Sequence, residues 1–200
     1  MRRDAMKALL LVYVLAFLLV TFVWPTWRLW RLHGINGLVL PRDDSAHGLI
    51  GMWFKGLMAG TLVFAILLVS GLSPAHFGPL PWAMQDVVQK AGCVLLLLSL
   101  GWITRAQYQM GRSWRIGFKD DEIPDLVSSG LFARSRNPIF LGMRVTLFGL
   151  FLVIPCAVTL AIFALSEALI AIQVRLEEAH LSKSLGDKYL AYAAVTPRWL

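Results

Sequence analysis

Charge is scarce in this chain: only 16% of its 200 residues are Asp, Glu, Lys or Arg, against 58% hydrophobic residues. That balance excludes an ordinary soluble globular domain and indicates a membrane protein. There are two cysteines, Cys93 inside an apolar run and Cys156 beside Pro155. Neither their number nor their placement supports a disulfide framework or a metal-ligand spacing. The four histidines, His33, His47, His76 and His180, are scattered, so no metal site is expected. A G-x-G-x-x-G fingerprint, a P-loop and a G-x-S-x-G elbow are all missing, which excludes those soluble-enzyme architectures. The formal charge of +7 does not point to nucleic acid, because no stretch interleaves basic residues with an aromatic stacking platform. No protein partner is evident either.

Long apolar runs are plentiful. Segments near Ala8 to Trp24, Leu49 to Gly71 and Val87 to Thr104 approach the roughly 20 residues that cross a hydrocarbon core. A fourth run, Ile139 to Gln173, is too long for one ordinary crossing and carries Pro155 near its middle, so it reads as two short helices in a hairpin. The expected fold is all-α and polytopic, with about five transmembrane helices, the last two a hairpin, followed by a cytoplasmic C-terminal helix. One integral membrane domain spans 1–200: three N-terminal helices in 1–105, then a cofactor-binding loop, the hairpin and the C-terminal helix in 106–200. Met1 to Trp24 has a basic start like a signal peptide, but Phe22-Val-Trp-Pro-Thr-Trp offers no small-residue cleavage pattern, which favours a retained helix.

Charge asymmetry orients this topology. Arg28, Arg31 and Arg42 fall in the first connection, and Arg105, Arg112, Arg115, Lys119, Arg134 and Arg136 in or beside the third. Arg175, Lys183, Lys188 and Arg198 follow the hairpin, whereas Leu72 to Asp86 has no Lys or Arg. The basic side is therefore expected to be cytoplasmic, against the contrary signal of Arg2, Arg3 and Lys7. The eight tryptophans gather at helix ends as an aromatic belt, and Lys55 reads as a snorkelling interface residue. Glu167 lies inside the fifth span, where a carboxylate is costly and therefore functional by default; a nearby Ser or Lys partner is the plain alternative.

Two polar constellations stand out. In Ser135-Arg136-Asn137-Pro138, Asn137 suits an N-cap and Pro138 the first helical turn. The free N–H groups of that helix start, beside Arg134 and Arg136, suit a carboxylate or phosphate. Gly142, one turn in, allows close approach of a backbone or a ligand. The plain alternative is a helix start with arginines among lipid headgroups. The second constellation, Gln173 to Tyr192, places Val174, Glu178, Leu181, Leu185, Tyr189 and Tyr192 on one helical stripe. Arg175 is within reach of Glu178, and Glu177 points toward His180, Ser184 and Lys188. Its plain alternative is an interfacial helix with a structural Arg175–Glu178 ion pair.

In order and spacing, LVSSGLFARSRNPIFLG (126–142) and VRLEEAHLSKSLGDKYLAYAAVTPRWL (174–200) resemble the isoprenylcysteine carboxyl methyltransferase family, which is itself similar to bacterial phospholipid N-methyltransferases. The carrying elements are G-x-F, R-N-P-x-F and Gly in the first, then R-x-E-E, G-x-x-Y-x-x-Y and a terminal P-R. The resemblance covers the C-terminal half and implies methyl transfer from S-adenosylmethionine to a lipophilic substrate entering from the bilayer, either a prenylcysteine carboxylate or a lipid headgroup. It implies cofactor contacts from Gly130, Leu131, Arg136, Asn137, Pro138, Gly142, Glu177, Tyr189 and Arg198. Arg175 and Glu178 are implied as the catalytic pair that orients the acceptor. Phe140 and Asn137 stand where many relatives have Tyr and His. A membrane reductase using NADPH, suggested by Met110 to Gly117, and a non-catalytic membrane scaffold are the competing readings.

Overall fold

The computed structural model describes residues 3–34, 37–39, 45–114, 116–117 and 125–200. Arg2, Arg42, Arg115 and Lys119 of the charge argument, and residues 118–124 of the loop between 107 and 137, lie outside the described residues. The architecture is a helical bundle of α1 (Arg3–Leu18), α2 (Trp24–His33), α3 (Ala46–Val69), α4 (Asp86–Met110), α5 (Pro138–Val153), α6 (Ala157–Leu185) and α7 (Asp187–Val195). The strands β1 (Leu38–Val39) and β2 (Ile116–Gly117) pair in parallel.

Four helical segments, Ala5–His33, Ala46–Val69, Asp86–Ser113 and Ala157–Leu185, are long and apolar enough to cross a membrane. At 1.5 Å per residue, α5 extends only about 24 Å, short of a ~30 Å hydrocarbon core. The shortfall follows from its two boundaries. Asn137-Pro138 starts it, and its last backbone bond, Ile154 N–H to Leu150 C=O at 3.2 Å, precedes Pro155.

The first apolar run does not stop at Trp24, as the sequence led us to expect. A π-helical turn, Leu19–Val23, joins α1 to α2 without a break. Pro25 lies just beyond it and has no N–H to return to the Thr21 carbonyl one turn earlier. Gln107 of α4 supplies that donor through Nε2, 2.8 Å from Thr21 O. A local defect in one helix thus becomes a tie to another.

Helices α4 and α5 form the closest pair, because small residues face each other. A Cβ on Gly92 would lie 2.9 Å from the Gly149 carbonyl, and one on Gly149 would lie 3.0 Å from Leu96. Without a hydrophobic drive between helices in lipid, such close backbone approach supplies the packing energy. The buried cluster of Leu10, Tyr13, Phe64, Leu68, Leu96, Leu150 and Val153 joins α1 and α3 to this pair. Val12, Leu15, Leu97, Leu98 and Leu165 point outward and are exposed, as side chains facing lipid must be.

The hairpin expected at Pro155 is present. Thr159 closes it by donating its hydroxyl to the Ile154 carbonyl at 2.7 Å and accepting from Cys156 N–H at 3.2 Å. Leu80 N–H donates to Pro155 O at 3.0 Å and Ala157 N–H to Gly78 O at 2.7 Å. The uncharged connection and the uncharged tip therefore meet at one end of the bundle, as alternate crossings require. The two arginine-bearing motifs lie at the other end.

Candidate functional site

At that other end, the chain after α6 folds back over the start of α5. Gly186 makes the turn with φ +53° and ψ −132°, a conformation L side chains rarely adopt, so the expected single helix through Tyr192 is instead α6, a glycine break and α7. Four bonds then fasten the returning segment. Tyr192 donates to Phe132 O at 2.6 Å. Arg136 N–H donates to Pro197 O at 2.9 Å, and its Nη1 donates to Ala193 O at 3.0 Å. Ser135 Oγ donates to Arg198 O at 3.3 Å.

Glu178 is the centre of this fastening. Its Oε1 accepts from Asn137 Nδ2 at 2.9 Å, and its Oε2 accepts from Arg198 Nε at 3.1 Å and Nη2 at 2.8 Å. Arg136 Nη2 donates to Oε2 at 3.4 Å, while Arg136 Nε sits 3.3 Å from Oε1 as an ion pair without hydrogen-bond geometry. The carboxylate is thus shared by the two motifs, which the sequence separates by some forty residues. The bond to Glu178 also holds the Arg198 guanidinium above its ordinary pKa. Asn137 occupies the N-cap position of α5 without capping it; its Nδ2 donates to Glu178 Oε1 and to Arg198 O, which turns the amide toward the returning chain.

The expected Arg175–Glu178 pair is not formed. Arg175 Nη1 donates to the Ala171 carbonyl one turn back, at 2.7 Å, and its side chain is exposed. Glu177 takes a different direction from Glu178, with His180 beside it in one cavity wall. Successive residues on a helix diverge by about 100°, so when Glu178 turns toward Arg198, Glu177 turns away from it. Glu177 faces a cavity.

That cavity, about 500 Å³, runs between α1, α3, α5 and α6. Its walls are mostly apolar, with Phe17, Met58, Leu147 and Leu150 in its depth, and its polar end is formed by Arg136, Asn137, Glu177, His180 and Tyr189. Both the size and the mix of many apolar walls with a few convergent polar groups are those of a small-molecule site. The Tyr189 hydroxyl is buried and has no hydrogen-bond partner among the described residues. Burial first, and then the Glu178 charge, push its pKa up to about 12, so it remains a donor near neutral pH. Tyr192 is likewise raised to about 12, chiefly by burial.

Of the residues singled out in sequence, Arg136, Asn137, Pro138, Glu177 and Tyr189 line the cavity, and Glu178 and Arg198 brace it from behind. Gly130, Leu131 and Gly142 do not line it, and each has a different occupation. Gly130 takes φ +64° against the side chain of Gln109, whose Oε1 accepts from Leu131 N–H at 2.9 Å. The missing Cβ of Gly142 is filled by Ile103, with Trp102 at 3.1 Å, so its close approach is to α4 and not to a ligand. Sequence reasoning passed over Gln109, whose signal was faint. It also passed over Arg144, a lone cation six residues into an apolar helix and therefore detectable. Arg144 chelates Glu167 at 2.8 and 2.9 Å, so the carboxylate does have a helix partner, an arginine where Ser or Lys was the plain alternative.

A polar end made of R-N-P and R-x-E-E elements, closing an apolar cavity between membrane helices, can be set beside known families. Residues 88–188 match the phospholipid methyltransferase family, about half of the chain. The chain belongs to that family. The matched region begins in α4 and ends at the start of α7, so it contains Arg136, Asn137, Glu177 and Glu178. A comparison with curated proteins gives no match. With its apolar crossing helices, the chain is an integral membrane member of this methyltransferase family.

Proposed function

We propose that the chain transfers a methyl group from S-adenosylmethionine to a lipophilic acceptor that reaches the cavity from the bilayer. The observation that carries this reading is the joining of one apolar cavity to a polar end bearing an arginine, a carboxylate and a buried tyrosine hydroxyl with no partner among the described residues. S-adenosylmethionine, when bound, supplies an electrophilic methyl on a sulfonium. The polar end fits its other groups: Arg136 suits its carboxylate, Glu177 its ammonium and Tyr189 a hydroxyl or carboxylate oxygen.

Methyl transfer asks chiefly for in-line positioning and exclusion of water. In this reading α7, held down by Tyr192 and Arg198, covers the polar end, and the apolar walls receive the tail of the acceptor. Glu178 accepts from three side chains already, which suits a positioning role for it: it fixes Arg136 and Asn137 at the cavity mouth. Glu177, facing the cavity, is the better placed to orient an acceptor headgroup or take a proton from an amine. Arg175 does not line the cavity, so in this reading the acceptor-orienting role that family resemblance implies for it falls to Glu177. A prenylcysteine carboxylate needs no proton acceptor, whereas a lipid amine does. We further propose that α5 also crosses, as the fourth of five spans, that 1–200 acts as one domain, and that the basic end faces the cytoplasm.

Isothermal titration of the purified protein with S-adenosylhomocysteine and with NADPH tests the cofactor assignment. Saturable binding of the first and none of the second is expected. Binding of NADPH alone would replace the methyltransferase reading with a reductase.

A further inference from the structure

The side of α6 turned away from the cavity carries Glu167, Ala171 and Arg175 at four-residue spacing, one above the other. They face Arg144 of α5 and the final residues Arg198 and Trp199 across a separate cleft of about 140 Å³. Arg144 grips Glu167 through Nε at 2.8 and 2.9 Å and through Nη2 at 2.7 Å, and its guanidinium stacks 4.6 Å over the Trp199 ring.

The depth of each group follows from the helical rise. Counted from the hairpin tip, Arg144 and Glu167 both lie roughly 14–15 Å in, near the middle of a ~30 Å core, and Arg175 lies about 12 Å nearer the opposite boundary. An ion pair at mid-depth is tolerated where it faces protein or a polar cavity. Here the two side chains retain 35% and 26% of their surface, so the cleft opens to the surroundings instead of sealing the pair. Its lining holds three arginines and one carboxylate. Glu178, behind Arg198, offsets a second positive charge. The third, on Arg175, has only its own helix carbonyl as a partner among the described residues. Beside it on α6, Ile172 is exposed, and Leu165 two turns deeper is exposed as well.

A positive, polar cleft that rises from mid-depth to headgroup depth at Arg175, with an exposed apolar strip beside it, matches an anionic amphiphile. We infer that this cleft binds the phosphodiester of an anionic membrane lipid, with Arg175 as its principal contact, at a site that α6 separates from the cavity. The strip formed by Ile172 and Leu165 takes the acyl chains, which distinguishes a lipid from a free phosphate.

Native mass spectrometry of the full chain in detergent tests this, using phosphatidylglycerol, phosphatidylcholine and inorganic phosphate as probes. Phosphatidylglycerol adducts are expected in preference to phosphatidylcholine. Arg175→Gln should lower that affinity by about fivefold, the weight of one arginine near a membrane surface, and Arg175→Lys should keep most of it. The Arg175 side chain is exposed and bonds to its own helix, so both variants should fold, as their melting temperatures will show. Equal adducts with the two lipids, or no effect of Arg175→Gln, would overturn the site. Displacement of phosphatidylglycerol by inorganic phosphate would overturn its assignment to a lipid.

Discussion

Replacing Glu178 by Gln keeps the shape of the side chain and removes its charge. In the native arrangement Oε1 receives Asn137 while Oε2 receives Arg198 twice and Arg136 once. A glutamine amide has one acceptor oxygen and one donor nitrogen, so whichever way it turns, its NH₂ meets donors. Arg136 and Glu178 are well covered, with 15% and 11% of their side-chain surface exposed, whereas Arg198 keeps 37% and gains much of its stability from water. Breaking a fully buried pair costs about 3–5 kcal/mol. An exposed one contributes about 0–1 kcal/mol. This hub lies between those limits, and a loss of about 2–3 kcal/mol is expected. Arg198→Gln should cost about 1 kcal/mol or less, and the double variant little more than Glu178→Gln alone, because the two residues share one interaction. Denaturant unfolding in a fixed detergent measures these values, with S-adenosylhomocysteine titration alongside. Glu178→Gln should weaken that binding by about tenfold, the equivalent of 1.4 kcal/mol lost in holding Arg136 in place. Native stability together with native affinity in Glu178→Gln would refute the view that Glu178 fastens the two motifs.

Tyr189→Phe removes a hydroxyl that has no partner among the described residues, so stability should change by less than about 0.5 kcal/mol while cofactor affinity falls several-fold; a large stability loss with unchanged affinity would show a structural hydroxyl instead. Gly142→Leu should destabilise by at least about 2 kcal/mol, read by thermal unfolding, because the new side chain must displace Ile103 and Trp102 from α4. Tyr189 and Tyr192 have folded pKa values raised to about 12. The folded state therefore holds their protons more tightly, so their stabilising contribution is complete below about pH 10, the ordinary tyrosine value, and is lost as pH rises toward 12. Tyr192→Phe should flatten part of that alkaline decline in a stability-versus-pH series.

Crossing helices were legible because hydrocarbon thickness and apolar run length are properties of the sequence, and Pro155 marked the hairpin without ambiguity. The end of the first run was misread. The apolar run was bounded at Trp24, but a π turn and a side-chain donor from Gln107 let the helix continue, and that donor lies far away in sequence. Pairing the two polar motifs at one end was also legible, from the parity of the crossings. Which carboxylate met which cation was not. Arg175 and Glu178 are close along a helix, yet Arg136 and Arg198 outcompete that local pair because the tail folds back at Gly186. The three glycine-region expectations divide in the same way. A glycine announces close approach, but only the packed structure shows that Ile103 and Gln109 are what approach Gly142 and Gly130.

In the proposed function, methyl transfer takes place at the cavity end formed by Arg136, Glu177 and Tyr189. Its most direct test is incubation of the purified protein with methyl-labelled S-adenosylmethionine and separate panels of lipids and prenylcysteines, followed by extraction. Label is expected in one organic-extractable acceptor class, with incorporation greatly reduced in Glu177→Gln. Saturable cofactor binding with no label in any extractable acceptor, or label incorporation indifferent to Glu177, would contradict the account.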